Sequence, residues 1–387
     1  MRKDWEILEF EKCLEKVVYT NKIQKKDFKE YGNYPIISQE QDFINGYWDN
    51  ENDLFKVEKP VVIFGDHTQV KKYVDFDFVL GADGVKIFQT KNNINPKYFF
   101  YFLQNIELEN LGYARHYRLL KEISVYFPKS LPEQRRIVSI LDKCFSAIDK
   151  AKANAEQNLK NAKEIFESYL EMFFSEVFNS NETTIISKVA KVIGGYSFKS
   201  VDFKKLGKYQ VIRMGNVRPG IIRENESPVF INDIDDKALA KALLLPNDVI
   251  ITQTGTKKKR DYGFTVMIEK TNYLINQRIA AIRFSELYLP KFFLYFSWTN
   301  IFKDQYFANE TGTVGQGNVG IGAITDAKIP FISIKQQEKI IEKIDALRTE
   351  TQKLESVYQK KIADLEELKK SILQKAFAGE LTEKTIT

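Results

Sequence analysis

Apolar residues recur in alternating steps of three and four along two long stretches of the chain. The clearer stretch, Ile334 to Phe377, carries Ile340, Ile344, Leu347, Leu354, Tyr358, Leu365, Leu368 and Ile372, the spacing at which one face of an α-helix repeats. The other, Leu131 to Phe174, sets its stripe on smaller residues: Ile137, Leu141, Cys144, Ile148, Ala151, Ala155, Ala162, Ile165 and Tyr169. Beyond Pro132 neither glycine nor proline interrupts either stretch, so each predicts an unbroken helix of about 60 Å. A helix of that length cannot bury its stripe against itself. The pattern therefore predicts that the two pair with each other or that each meets another protein.

The stretches are copies of one another. Laid together without a gap, Gln134 meets Gln337, Ile137 meets Ile340, Leu141-Asp142 meets Ile344-Asp345, Leu170 meets Leu373 and Phe174 meets Phe377. The duplication extends upstream, where Asp27, Phe28, Lys29, Gly32, Tyr34 and Ile37 recur as Asp202, Phe203, Lys204, Gly207, Tyr209 and Ile212. A third match pairs Asn95-Pro96-Lys97-Tyr98-Phe99 with Leu289-Pro290-Lys291-Phe292-Phe293, each predicting a short helix with proline in its first turn. Between these anchors both halves predict strand, turn, strand: Val61 to Gly65 and Phe78 to Leu80, then Asp248 to Ile251 and Phe264 to Ile268. The order is head, rod, head, rod, in an α/β (α+β) fold. The predicted blocks are 1–130, 131–178, 179–332 and 333–379, with a tail at 380–387.

Composition narrows the class without choosing within it. With 387 residues, 28% charged and 43% hydrophobic, the chain is an ordinary globular mix that suits two or three domains. A net charge of +6 and 13% aromatic residues permit a nucleic-acid partner. Two cysteines, Cys13 and Cys144, and two histidines, His67 and His116, supply neither a zinc cluster nor a disulfide framework and fit a reducing cytoplasm. Arg2, Lys3, Asp4 and Glu6 predict no signal peptide, and no apolar run approaches the length of a membrane span.

No catalytic constellation emerges. Asn95-Pro96-Lys97-Tyr98 is similar to the Asn-Pro-Pro-Tyr box that holds a flipped adenine in amino-methyltransferases. The second half, however, repeats the proline with Leu289 in place of the asparagine, which favours a helix start. The sole Glu-x-Lys, Glu367-Leu368-Lys369, lies on the second rod, and neither a methyl-donor glycine loop nor a Walker A loop is present. What remains is basic and amide-rich loops in corresponding places. Gln69 to Tyr73, with Lys71 and Lys72, faces Thr254 to Arg260, with Thr254, Lys257, Lys258, Lys259 and Arg260. Tyr113 to Arg118, with Arg115, His116 and Arg118, faces Gly312 to Val319, with Gln316 and Asn318. Lysines in such loops neutralise phosphates, and arginine, glutamine and asparagine can each make two hydrogen bonds to a purine edge. These residues are the candidate contacts to double-stranded DNA.

The architecture resembles the DNA-specificity subunit of type I restriction-modification systems, over nearly the whole chain. That family has two target-recognition domains, each followed by a long helical region opening on a Pro-x-x-x-x-Glu-Gln-x-x-Ile pattern. Pro128 to Ile137 fits it, while the second copy keeps Pro330, Gln337 and Ile340 and replaces the rest. The resemblance implies that the helices pair as an antiparallel coiled coil with pseudo-twofold symmetry. It also implies that they dock two methyltransferase subunits, with Gln134, Ile137, Leu141, Gln337, Ile340 and Ile344 as partner-binding residues. Restriction and translocase subunits would join through the complex. S-adenosylmethionine, ATP and magnesium would then belong to partner subunits, leaving this chain without cofactor or catalysis, in the cytoplasm and off the membrane. Two heads held on a rod would touch DNA at two separated segments. Their unlike loops predict an asymmetric site. A self-contained adenine methyltransferase or nuclease is the competing expectation.

Overall fold

The computed structural model describes residues 4–112, 114–313 and 315–381. The chain forms two compact units, one made of Met1–Glu156 with Gln359–Thr387 and the other of Gln157–Tyr358. This division cuts across the four consecutive blocks the sequence suggests. The long helices are Leu131–Ser180 and Ile334–Phe377, and each gives one end to each unit. A helix stripe and a head core are equally apolar, so periodicity alone cannot distinguish a free rod from one packed on its head.

In the first unit, strand Trp5–Glu9 pairs with Ser124–Pro128, the strand that leads into the long helix. Val61–Gly65 lies between Lys71–Val74 and Val85–Phe88 in an antiparallel sheet. A second sheet places Phe78–Gly81 parallel to Tyr34–Ile37 and to Lys22–Ile23. Val61 to Gly65 and Phe78 to Leu80 are strands as expected, but they lie in different sheets, because Lys71–Val74 is the neighbour of the first. Helix Pro96–Asn105 begins as the proline predicts, with the Asn95 side chain accepting from the backbone N–H groups of Lys97 and Tyr98, so this asparagine caps a helix. The helix buries Tyr98, Phe99, Phe102 and Leu103 against Ile137 and Leu141 of one long helix and Leu373, Ala376 and Phe377 of the other. Lys152 to Glu366 at 2.5 Å and Lys369 to Asp149 at 2.9 Å join the helices along their exposed side. As one index rises the other falls, so here the pair runs antiparallel.

The second unit repeats the plan. Thr183–Ile185 pairs with Lys328–Pro330 ahead of the second long helix. Val249–Thr252 lies between Thr265–Met267 and Ile279–Phe284, and Tyr209–Ile212 runs parallel to Tyr273–Ile275. Helix Pro290–Phe296 buries Phe292, Phe293 and Phe296 with Leu170 and Phe174 of the first long helix and Ile344 of the second. Part of the predicted stripe faces out instead: Ile165, Leu354 and Leu368 are about half exposed, at 52%, 43% and 47%.

Two polar clamps fix each head on its helix, and both are duplicated. Gln134 is fully buried. Its amide oxygen accepts from Asn95 N–H at 2.7 Å, and its nitrogen donates to the carbonyls of Asn93 and Pro128. Gln337, equally buried, accepts from Leu289 N–H at 2.8 Å and donates to the carbonyls of Ile332 and Leu287. About two turns further along each helix, Asp142 accepts from Tyr101 and Lys97, and Asp345 accepts from Tyr295 and Lys291. Burial, reinforced by the Asp345 carboxylate, pushes the Tyr295 hydroxyl up to about 12, so it stays protonated and donates.

Candidate nucleic-acid interface

In both heads three chain segments meet at the end of the central strand, held by the same backbone hydrogen bonds. In the first head the Asp66 carbonyl accepts from His116 N–H at 2.8 Å, and the Asp66 N–H donates to the Gly84 carbonyl at 2.7 Å. In the second the Gln253 carbonyl accepts from Val319 N–H at 2.9 Å, and the Gln253 N–H donates to the Arg278 carbonyl at 2.8 Å. These bonds make His67 the counterpart of Thr254, Arg115 that of Asn318, and Gly84 that of Arg278. Main-chain groups build the scaffold, which leaves the side chains free to differ. The late loops do correspond, as the sequence alignment suggests. Tyr113 and Val314, which fall within them, lie outside the described residues.

The early loops do not behave as expected in the first head. Lys71 and Lys72 sit inside the strand Lys71–Val74, not in a connecting loop. The Lys71 ammonium donates to the carbonyls of Leu103 and Ile106 at the C-terminal end of the anchor helix, where a cation complements the helix dipole. Lys72, only 4% exposed, donates to the carbonyls of Asp42 and Phe43 and to Asn45 Oδ1. Burial pulls both ammonium groups down to about 8. Both lysines hold the head together and are withdrawn from the DNA contacts. His116 is likewise buried, with Nδ1 on the Asp66 carbonyl and Nε2 accepting from Leu111 N–H, so it braces the loop from within. Arg115 and Arg118 remain exposed, without a hydrogen-bond partner among the described residues.

In the second head Thr254–Gly255, Gln316–Asn318 and Thr311–Thr313 form a small antiparallel sheet. Thr254 is buried and donates to Asn318 Oδ1 at 2.8 Å. The Asn318 side-chain oxygen is thereby oriented by the head, which keeps its second lone pair and its amide N–H groups for an outside partner. Gln316 is exposed. The loop from Thr256 to Arg260 closes as a turn on Asp261, whose carboxylate accepts from Thr256 N–H and hydroxyl. It presents Lys258 and Lys259 outward, with Lys257 half-buried. Arg260, although exposed, lies over the Phe307 ring at 4.8 Å and 4.0 Å from Glu310, so it leans on the head. A cleft of about 580 Å³ opens beside this sheet, lined by Met214, Arg218, Thr254, Thr256, Arg278 and Gln316 among others. Arg218 and Arg278 escaped the sequence reading. Arg218 ends a short strand and Arg278 sits in a turn before one, each without a basic neighbour beside it, and only the fold brings them to one cleft.

The six residues expected to bind partner subunits need correction as well. Gln134, Ile137, Leu141, Gln337 and Ile344 have no exposed surface, and Ile340 is half-buried against the same core. They face their own head, because the opening turns of each long helix form the floor of that head. Among the described residues no three His, Cys, Asp or Glu side chains are placed to hold a metal ion, and no helix is long and apolar enough to cross a membrane.

The sequence matches the type I restriction modification DNA specificity domain over residues 2–160 and 180–364. It is similar to the specificity subunit of the Escherichia coli type I restriction enzyme EcoR124I/EcoR124II, with 25% identity over 345 residues, 85% of this chain and 83% of that one. Among solved structures, a chain from a study of complex assembly and conformational transition of the type I R-M system superimposes with a TM-score of 0.73 at 14% identity, covering 98% of this chain and 99% of that one. The HsdS subunit of Thermoanaerobacter tengcongensis does so with a TM-score of 0.53 at 15% identity and 98% coverage of both. The two matched regions fall on the two duplicated heads with their long helices, and the chain belongs to the type I restriction-modification DNA specificity family.

Proposed function

We propose that the chain selects the DNA sequence for a type I restriction-modification complex, one segment per head, and that the complete target is bipartite and asymmetric. The observation that carries this reading is the pair of matched scaffolds with unmatched side chains: His67, Gly84 and Arg115 in one head, Thr254, Arg278 and Asn318 in the other. Identical main-chain supports under different polar side chains suit two sites that do the same task on different bases. Methyl transfer with S-adenosylmethionine and ATP-driven translocation with magnesium fall to partner subunits in the cytoplasm, two of them methyltransferases. Ile165 and Leu368, equivalent in the repeat and both exposed, support docking of such a subunit on each unit's helices.

Mapping methylated adenines in the genome of cells carrying the gene and its partner genes, against cells lacking only this gene, tests the reading. A single two-part consensus that vanishes with the gene is expected. A map unchanged by its loss excludes the function.

Two substitutions separate phosphate contacts from structural lysines. Changing Lys257, Lys258 and Lys259 together to alanine should weaken binding to unrelated duplexes alike and lower the salt slope by up to about 3. Unchanged slope would remove the loop from the interface. Lys72→Met should leave the slope alone while costing about 1 kcal/mol of stability in urea unfolding, since it removes the buried donor that ties Asp42, Phe43 and Asn45 to the strand. A reduced slope with full stability would reverse the assignment.

A further inference from the structure

We infer that Arg278 reads a guanine in the DNA segment bound by the second head, giving that head a base contact the first head lacks. The inference rests on the DNA-reading role proposed above. It begins with the backbone. Arg278 has φ +71°, in the left-handed region, which non-glycine residues avoid because the Cβ crowds the carbonyl. At the same scaffold position the first head has Gly84, with φ +74°. There a Cβ would meet Gln39 Oε1 at 2.7 Å and His67 Cδ2 at 2.8 Å, so the space is already filled. In the second head the space is open as part of the 580 Å³ cleft. The turn demands a left-handed residue in both heads, and glycine satisfies it without strain in one. The other carries one of the longest side chains in place of glycine, and a strained residue at a site edge marks a side chain held for its chemistry.

The surroundings specify that chemistry. Arg278 is exposed, and its guanidinium makes only a 3.5 Å contact with Asn318 Oδ1, far longer than the 2.8 Å bond that oxygen accepts from Thr254. Arg260, the other left-handed arginine, lies over Phe307, and Arg218 in the same cleft donates to the Gly215 and Val217 carbonyls. Arg278 is therefore the arginine of this cleft with its fork of donors least committed to the protein. Its main chain is pinned on both sides, by Gln253 N–H on its carbonyl and by the strand that starts at Ile279. A fixed base under a free planar fork suits two-point recognition of guanine O6 and N7. Phosphate neutralisation needs no such fixing, and the lysines at 257–259 already supply it.

The test compares Arg278→Gly and Arg278→Lys with the unaltered chain, each expressed with its partner subunits, by mapping methylated adenines across the host genome. Glycine suits φ +71° better than arginine, so the first variant folds at least as well as the parent. The lysine keeps the charge and loses the fork. Both variants should relax one position of the consensus from guanine to any base, a loss of preference of roughly ten- to a hundred-fold, with the remaining positions intact. Three results overturn the inference: an unchanged consensus, a position other than guanine relaxed, or a lysine variant that retains the full preference. The first would make Arg278 a phosphate contact, and the last would show that the charge and not the fork does the reading. If the unaltered chain yields no consensus, the DNA-reading role itself fails and this inference falls with it.

Discussion

Replacing Phe377 with alanine lowers the stability of the first unit by about 4 kcal/mol, the usual effect of removing a buried aromatic ring. The ring is 3% exposed and meets Tyr98 at 5.3 Å and Phe102 at 5.5 Å, both edge-on. Its repeat counterpart Phe174 is fully buried against Phe292 at 5.3 Å and Phe296 at 5.6 Å. Phe174→Ala should therefore produce the same loss in the second unit. Each change should lower the Tm of its own unit by roughly 8 to 16 °C. Hydrogen exchange locates the effect: protection should fall over Pro96–Asn105 in the first variant and over Pro290–Phe296 in the second. Equal loss over both anchor helices in either variant would show that the two cores do not behave as separate clusters.

Gln337→Ala should cost about 3 kcal/mol in denaturant unfolding. The substitution strands the Leu289 N–H and the carbonyl of Ile332, both served by one fully buried amide, and loosens the longer contact to Leu287. Gln337→Glu is the sharper variant, because it keeps the shape and the acceptor but cannot donate as a carboxylate. If packing alone mattered, glutamate would be tolerated. A loss comparable to that of alanine assigns the effect to the donated bonds, and full stability in the glutamate variant would refute the clamp.

The long helices are readable because their periodicity runs unbroken and recurs, and the anchor helices because a proline announces the first turn of each. The repeat also pairs the late loops as stretches, and the backbone hydrogen bonds then set Arg115 against Asn318. Burial was not readable. Lys71 and Lys72 look like a basic loop, yet their apolar stems suit a half-buried strand and their ammonium groups find carbonyls that only the fold brings near. Gln134 and Gln337 look like surface residues of a helix. Their duplication was visible, but a repeated glutamine fits a docking surface as well as an internal clamp until its partners are known. Arg278 was missed for the opposite reason: nothing in a lone arginine distinguishes it. Aligning the residue before the strand in each half, Gly84 against Arg278, is the comparison that would have found it.

The first unit is discontinuous along the chain, with Gln359–Thr387 completing a core begun by Met1–Glu156. The second unit, Gln157–Tyr358, is contiguous. A ribosome adding about 5 to 20 residues per second delivers Leu373 and Phe377 roughly 10 to 45 seconds after Glu156. Throughout that interval the aromatic face of Tyr98 and Phe102 has no lid, whereas the second unit holds every residue of its own core once Tyr358 is made, before Leu373 and Phe377 appear. The head synthesised first is the head finished last.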